Sequence, residues 1–137
     1  MVVLLLKKGL QKERPIGVLI DFIVDFQETF LKRHFHIEEM ALFPFADRIA
    51  GLDNYLNRMM QEHRTLSELI GQICTERKPE QVRNWATLME QHIRFEERVL
   101  FPFLETNLPE NDLECIGASL QFQRTDYCTN YPIKFWE

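Results

Sequence analysis

The chain has 137 residues, 45% of them hydrophobic and 27% charged, with a net charge of −5, which suits one domain with a real core and is too little for two. The acidic balance argues against nucleic acid as the main partner, and no apolar run approaches the roughly 18 residues a membrane span needs. "MVVLLLKK" is too short for a signal peptide and carries its lysines on the wrong side, while Cys74, Cys115 and Cys128, with no C-x-x-C pair among them, suggest neither a disulfide framework nor a zinc ribbon and point to a reducing cytoplasm.

Five glycines and little β-branched alternation leave apolar residues recurring at three- and four-residue steps, the pattern of helix almost throughout. A first helix is expected around residues 2–12. Pro15 can open a second, around 16–43, and Pro79 a fourth, around 79–104, with a third between them around 48–75. Pro44 and Pro102 are expected near helix ends, because an interior proline breaks the hydrogen-bond ladder. Pro109 with Glu110 opens a short fifth helix around 110–122. The closing "RTDYCTNYPIKFWE" holds Tyr127, Tyr131, Phe135 and Trp136, a heavy apolar load that predicts a strap packed on the helices. The expected fold is all-α: one domain over 1–137, an antiparallel, up-down-up-down four-helix bundle over about 2–104, its first helix truncated, with the fifth helix and aromatic strap over 109–137.

Two segments repeat. "HFHIEEMALFPF" begins at His34 and "HIRFEERVLFPF" at His92, sharing His, Glu-Glu and Leu-Phe-Pro-Phe at the same offsets. On the second helix Phe26, Phe30, His34, Ile37, Glu38, Ala41 and Phe45 form one stripe, and on the fourth Trp85, Leu88, His92, Phe95, Glu96 and Val99 do so. The third helix aligns Leu56, Met59, His63, Leu66, Ile70 and Ile73. Three histidines and two glutamates are therefore aimed inward from three helices. A buried carboxylate without a partner costs several kcal/mol, so such groups are paired, protonated or metal-bound. His34 with Glu38 and His92 with Glu96 stand one turn apart, so imidazole and carboxylate can reach one ion or a pair of ions. Mixed nitrogen and oxygen donors suit iron or manganese, with zinc as the common impostor. Any one of these histidines alone would read as a hydrogen-bonded core residue; five convergent donors, with one block duplicated, read as a metal site. The Leu-Phe-Pro-Phe part reads as structural, closing each helix and plugging the same end of the core.

"HFHIEEMALFP", "EHRTL" and "HIRFEERVLFP" make the chain, from about Val2 to Leu120, similar to the hemerythrin-like, HHE cation-binding family. The resemblance implies a non-haem di-iron or other dinuclear centre inside a four-helix bundle. His34, His63 and His92 would be terminal ligands, and Glu38 and Glu96 bridging or chelating carboxylates. Glu39, Glu62 and Glu97 are substitutes if the helices rotate. It implies binding or sensing of a small diatomic such as dioxygen or nitric oxide, or the handling of iron, without choosing among them.

Two departures stand out. The family pattern also takes a histidine from the first helix, where this sequence has none. The interval from His63 to His92, carried back from His34, lands at Leu5. The stretch around it is similar to the part of the first helix just after the family's histidine, so the missing ligand is expected upstream of Met1. Oxygen-carrying hemerythrins place two histidines on the third helix, and here the second position is Ser67; a reversible oxygen carrier is disfavoured. A short first helix would bare an apolar seam and favour a homodimer. Two rivals stand beside this reading. One is a di-iron oxidase or peroxidase-like enzyme at the same centre, the other a metal-free structural or partner-binding bundle.

Overall fold

The computed structural model describes residues 2–121 and 131–137. Within them the chain is all-helical, with five helical rods and no strand. The first is α1 (Val2–Gln11). The second runs from α2 (Ile16–Phe26) through a π-helical segment (Gln27–Leu31) into α3 (Lys32–Leu42) and closes in a 3₁₀ turn (Phe43–Phe45). The third is α4 (Leu52–Glu76). The fourth runs from α5 (Pro79–Phe95) through a second π-helical segment (Glu96–Leu100) into α6 (Phe101–Asn107). The fifth is α7 (Glu110–Gln121). α5 packs on α1, α2 and α4, α4 also packs on α2 and α3, and α7 packs on α3. No helix among the described residues is long and apolar enough to cross a membrane.

Local chemistry sets the rod ends. Pro15 caps α2 with an extended ψ of 134°, and Pro79 stands at the first position of α5, where its missing N–H costs nothing. The third rod starts at Leu52 rather than near residue 48, because turns come after Phe45 and the chain enters the helix through Gly51, whose φ of 90° is open to glycine at little cost. The same rod ends at Arg77 in the left-handed region (φ 55°), its N–H bonded to the Ile73 carbonyl at 2.9 Å.

The two prolines of the repeated blocks behave differently. Pro44 sits in the closing 3₁₀ turn, as expected. Pro102 does not end its rod: the π-helical segment precedes it and α6 continues to Asn107. The second Leu-Phe-Pro-Phe is therefore interior. A π turn already lacks the regular i→i−4 ladder, so a proline just beyond it has fewer bonds to break.

The π segments also correct the predicted stripes. A π turn holds one residue more than an α turn, so every side chain beyond it moves by about one position around the rod. Past Gln27–Leu31 the buried residues are Leu31, Phe35, Glu38, Leu42 and Phe45, while Phe30, His34, Ile37 and Ala41 are half-buried. Past Glu96 the buried residues are Leu100 and Leu104, and Val99 is exposed. Leu88 also turns outward, flanking the buried Met89. The α4 stripe needs no correction: Leu56, Met59, His63, Leu66, Ile70 and Ile73 are all buried along one uninterrupted helix.

Two apolar clusters result. One joins α1, α2, the lower halves of α4 and α5, and the C-terminal segment, around Phe22, Trp85 and Leu6. The other joins Leu42, Leu52, Leu56, Met59, Phe95, Leu100 and Leu104 with Ile116 of α7. Burying each large side chain contributes about 1.5–3 kcal/mol. Trp85 adds an indole N–H donated to the Leu66 carbonyl at 3.2 Å. The expected strap is present where described: Tyr131 and Phe135 pack edge-on against Phe22, each at 4.9 Å between centroids. Arg14 donates to the carbonyls of Phe135 (3.0 Å) and Glu137 (2.7 Å). Gly9 makes room, since a Cβ there would lie 2.8 Å from the Phe135 ring. Tyr127 lies outside the described residues.

Removing the Phe135 ring should therefore act as a core truncation. Phe135→Ala is expected to cost about 3–5 kcal/mol in denaturant unfolding, and Arg14→Ala only about 1 kcal/mol. Equal, negligible losses would mean the segment does not hold the core.

Candidate metal centre

Between the two apolar clusters lies one polar layer. On α3 Glu38 falls between Phe35 of the first cluster and Leu42 of the second; on α4 His63 falls between Leu66 and Met59; on the fourth rod His92 and Glu96 flank Phe95. Glu38, His63, His92 and Glu96 are the buried polar and charged side chains of the core, from 1% to 8% exposed. One donor atom from each can be chosen so that all four lie within 4.8 Å of one another. Two ligands on opposite sides of an ion, each at 2.0–2.1 Å, are about 4.2 Å apart, so small side-chain adjustments would close such a shell.

Four of the five sequence-predicted donors thus meet. The fifth, His34, reaches the group through Glu38: its Nε2 lies 2.6 Å from Glu38 Oε1, and its side chain is a quarter exposed. α1 brings no histidine or carboxylate to the cluster. Glu97 faces solvent.

Glu62 and Glu39 have a different place from the one expected of substitutes. His92 Nδ1 donates to Glu62 Oε1 at 2.8 Å, and Glu62 in turn accepts from Arg58 Nε at 2.9 Å. Glu39 Oε2 stands 3.5 Å from His63 Nδ1. Both carboxylates lie behind the imidazoles: Glu62, hydrogen-bonded, orients the His92 ring and raises its basicity, whereas Glu39 stands near His63 without a hydrogen bond. Their adjacency to His63 and Glu38 in sequence was visible, but which side of a ring they occupy depends on the packing of neighbouring rods. Phe35 fixes the other ring from above, stacked on His63 at 3.8 Å between centroids and 9° between planes.

The inner atoms are crowded without being hydrogen-bonded. His92 Nε2 is 2.6 Å from Glu96 Oε1, and His63 Nε2 is 3.8 Å from Glu96 Oε1 and 4.0 Å from Glu38 Oε1. Yet His92 Nε2, both His63 nitrogens, both Glu38 oxygens and Glu96 Oε1 have no well-directed hydrogen-bond partner among the described residues. With Nδ1–H committed to Glu62, the inner lone pair of His92 meets a carboxylate oxygen. That approach is repulsive unless a cation, a proton or a metal ion, sits in it.

Protonation carries this strain in the metal-free chain. Burial, followed by the charge of Glu96, pushes the Glu38 carboxyl from its ordinary 4.5 up to about 10. Burial opposes ionisation of Glu96 too, but the imidazoles of His63 and His92 and the Glu38 acid outweigh it and hold Glu96 well below the usual carboxylate range. Burial likewise disfavours the His92 imidazolium, and Glu96, Glu62 and Glu38 overcome it, raising that group. One acid kept neutral beside one kept ionised is how a pair of buried carboxylates shares a small space.

Stability inherits the sign of the Glu38 shift. Glu38 titrates higher folded than unfolded, so its contribution is fully present below about pH 4.5 and is lost as pH rises through about 10. Glu38→Gln, which keeps shape and cannot ionise, should make the metal-free chain more stable by about 1–3 kcal/mol at pH 8. The gain should shrink toward pH 5. Unfolding curves for both proteins across that range check it; a gain independent of pH would reject the assignment.

Comparison with curated proteins and with solved structures gave no match. The family model for the hemerythrin HHE cation-binding domain matches residues 4–104, a span that holds all four core donors together with His34. The chain belongs to the hemerythrin HHE cation-binding family.

Proposed function

We propose that the chain is an antiparallel four-helix bundle holding a non-haem metal centre, a pair of iron ions, used to bind or sense a small diatomic such as dioxygen or nitric oxide, or to handle iron. The observation that supports this most is the set of buried inner donors on Glu38, His63, His92 and Glu96 that face one another without hydrogen bonds. In this reading His34, His63 and His92 would hold the ions through imidazole nitrogens, and Glu38 and Glu96 through carboxylate oxygens. Reduced iron at such a centre supplies electrons and open positions to a diatomic ligand. The chain's own residues do the rest. Glu62 holds the outer nitrogen of His92, Glu39 stands near that of His63, Phe35 and Leu66 exclude water on one side, and Met59 and Phe95 exclude it on the other.

Imidazole and carboxylate donors together suit iron or manganese, and zinc, which also takes four such donors, is the competing ion. A metal-free structural role is disfavoured on energy: a layer of four ionisable groups at the centre of a core costs stability unless something is bound to it. An oxidase or peroxidase-like use of the centre has one observation on its side, a pair of clefts of about 230 and 210 Å3 that reach His63 and Glu62 from opposite sides of α4. Steady consumption of oxygen or peroxide by the reduced, loaded protein would establish that use.

Loading with ferrous iron under anaerobic conditions, with metal analysis afterwards, is the direct test. Near two irons per chain are expected for the wild type and fewer than one for Glu96→Ala. No iron retained by wild type would overturn the reading, and one would make the centre mononuclear. Glu62→Gln should keep the stoichiometry and weaken metal affinity roughly 10- to 100-fold, the usual cost of losing the group behind a ligating histidine.

A further inference from the structure

The cleft of about 230 Å3 lies between α3 and α4, on the outer side of His63. Each helix gives it one face: Lys32, Phe35, His36 and Glu39 share one side of α3, and His63, Arg64 and Ser67 one side of α4. Phe35 and His63, stacked on each other, form its floor. Its rim carries Lys32, Arg64 and His36 beside the acid Glu39, on a chain whose net charge is −5. Lys32 is held by Glu28 at 2.8 Å, whereas Arg64 and His36 make no hydrogen bond or ion pair among the described residues.

A basic rim alone is an ordinary solvated surface. Here the floor adds a polar group that water does not reach. His63 is 4% exposed, and its Nδ1, on the Glu39 side, has no hydrogen-bond partner. At 3.5 Å Glu39 Oε2 is near enough to attract it and too far to satisfy it. The Ser67 hydroxyl and the Arg64 guanidinium offer further donors at the same opening.

We propose that this cleft is a subsite for a small oxyanion, a carboxylate or phosphate group, gripped by Arg64 and seated with Ser67 and His36 over the outer edge of His63. Its volume is below the 300–1,000 Å3 common for larger organic ligands, so the occupant is a few atoms in size. Planar or tetrahedral oxygens match the guanidinium fork, and the charge-assisted bonds so formed are the strong kind. The subsite stands on the cleft's own residues. It extends the metal-binding reading in one respect only: the anion would sit behind a ligating imidazole and compete with Glu39 for it.

The test is a ¹H–¹⁵N NMR titration of the full chain, without added metal and at constant ionic strength, with inorganic phosphate in one arm and acetate in the other. Saturable shifts confined to residues 32–39 and 60–67 are expected in at least one arm, and which arm identifies the head group. Arg64→Ala should weaken that binding roughly tenfold, and Ser67→Ala by less. Arg83→Ala, on the exposed side of α5, should leave it unchanged. Absence of saturation in both arms, shifts spread over lysines and arginines generally, or equal losses in Arg83→Ala would overturn the proposal. Because no metal is present, its failure would leave the iron stoichiometry untouched, and the reverse also holds.

Discussion

The structure depends on one costly arrangement: two carboxylates and two imidazoles withdrawn from water in a layer between two apolar clusters. An isolated buried charge costs several kcal/mol, and a pair repays that only with good geometry. Here the geometry satisfies the outer nitrogen of His92 and leaves both nitrogens of His63 and the inner atoms of the other three groups without a hydrogen bond. The apolar clusters on both sides must therefore be large enough to hold the layer closed. Trp85 and Phe22 below it and Leu42, Leu52 and Leu56 above it are fully or almost fully buried. The same packing that stabilises the rods keeps water from relieving the polar layer, so fold and site are two consequences of one core.

The π-helical segments decide how the rods meet that layer. Each inserts one residue into a turn, and each lies on a rod that carries a repeated block. In the first block the insertion comes before the histidine, so Glu38 is centred and His34 is turned toward the edge. In the second it begins at Glu96, after His92, so both His92 and Glu96 lie inside. Two nearly identical segments thus contribute differently: His92 is 2% exposed, whereas a quarter of the His34 side chain is exposed. Segments of this kind cost backbone hydrogen-bond quality and recur at functional sites. Here each stands beside the polar layer, and their different positions relative to the repeated histidine separate His34 from His92.

The helical content and most helix limits were legible in the sequence because apolar spacing, Pro15, Pro79 and Pro109 all act locally. So was the family, because His34, Glu38, His63, His92 and Glu96 stand at motif spacing that survives any small rotation of the rods. The α4 stripe was read without error, as expected of an unbroken helix of 25 residues. What was not legible came from events longer in range than one turn. Nothing in "QETFL" or "EERVL" announces a π turn, so the wheel drawn through Phe30, Ile37 and Val99 ran one position out of phase. Pro102 looked like a helix end for the same reason. The places of Glu62 and Glu39 behind the imidazoles depend on how α4 meets α3 and α5, which no local pattern encodes.

That difference between the two backing carboxylates has a functional consequence. His92 is locked: its outer nitrogen bonds Glu62 at 2.8 Å, and Arg58 holds Glu62 at 2.9 Å. His63 is only loosely backed, with Glu39 at 3.5 Å and an open cleft beside it. A backing hydrogen bond fixes ring orientation and donor strength, so an ion held in this layer would have one rigid imidazole and one adjustable one. Any change that reaches the centre from outside, whether an exogenous ligand or a shift of α3 against α4, has its easiest route through His63. Within the layer His92 is held by a chain of hydrogen bonds, and His63 by packing against Phe35. Under the sensing function proposed above that inequality would matter, since a centre locked equally on all sides would bind metal and report nothing.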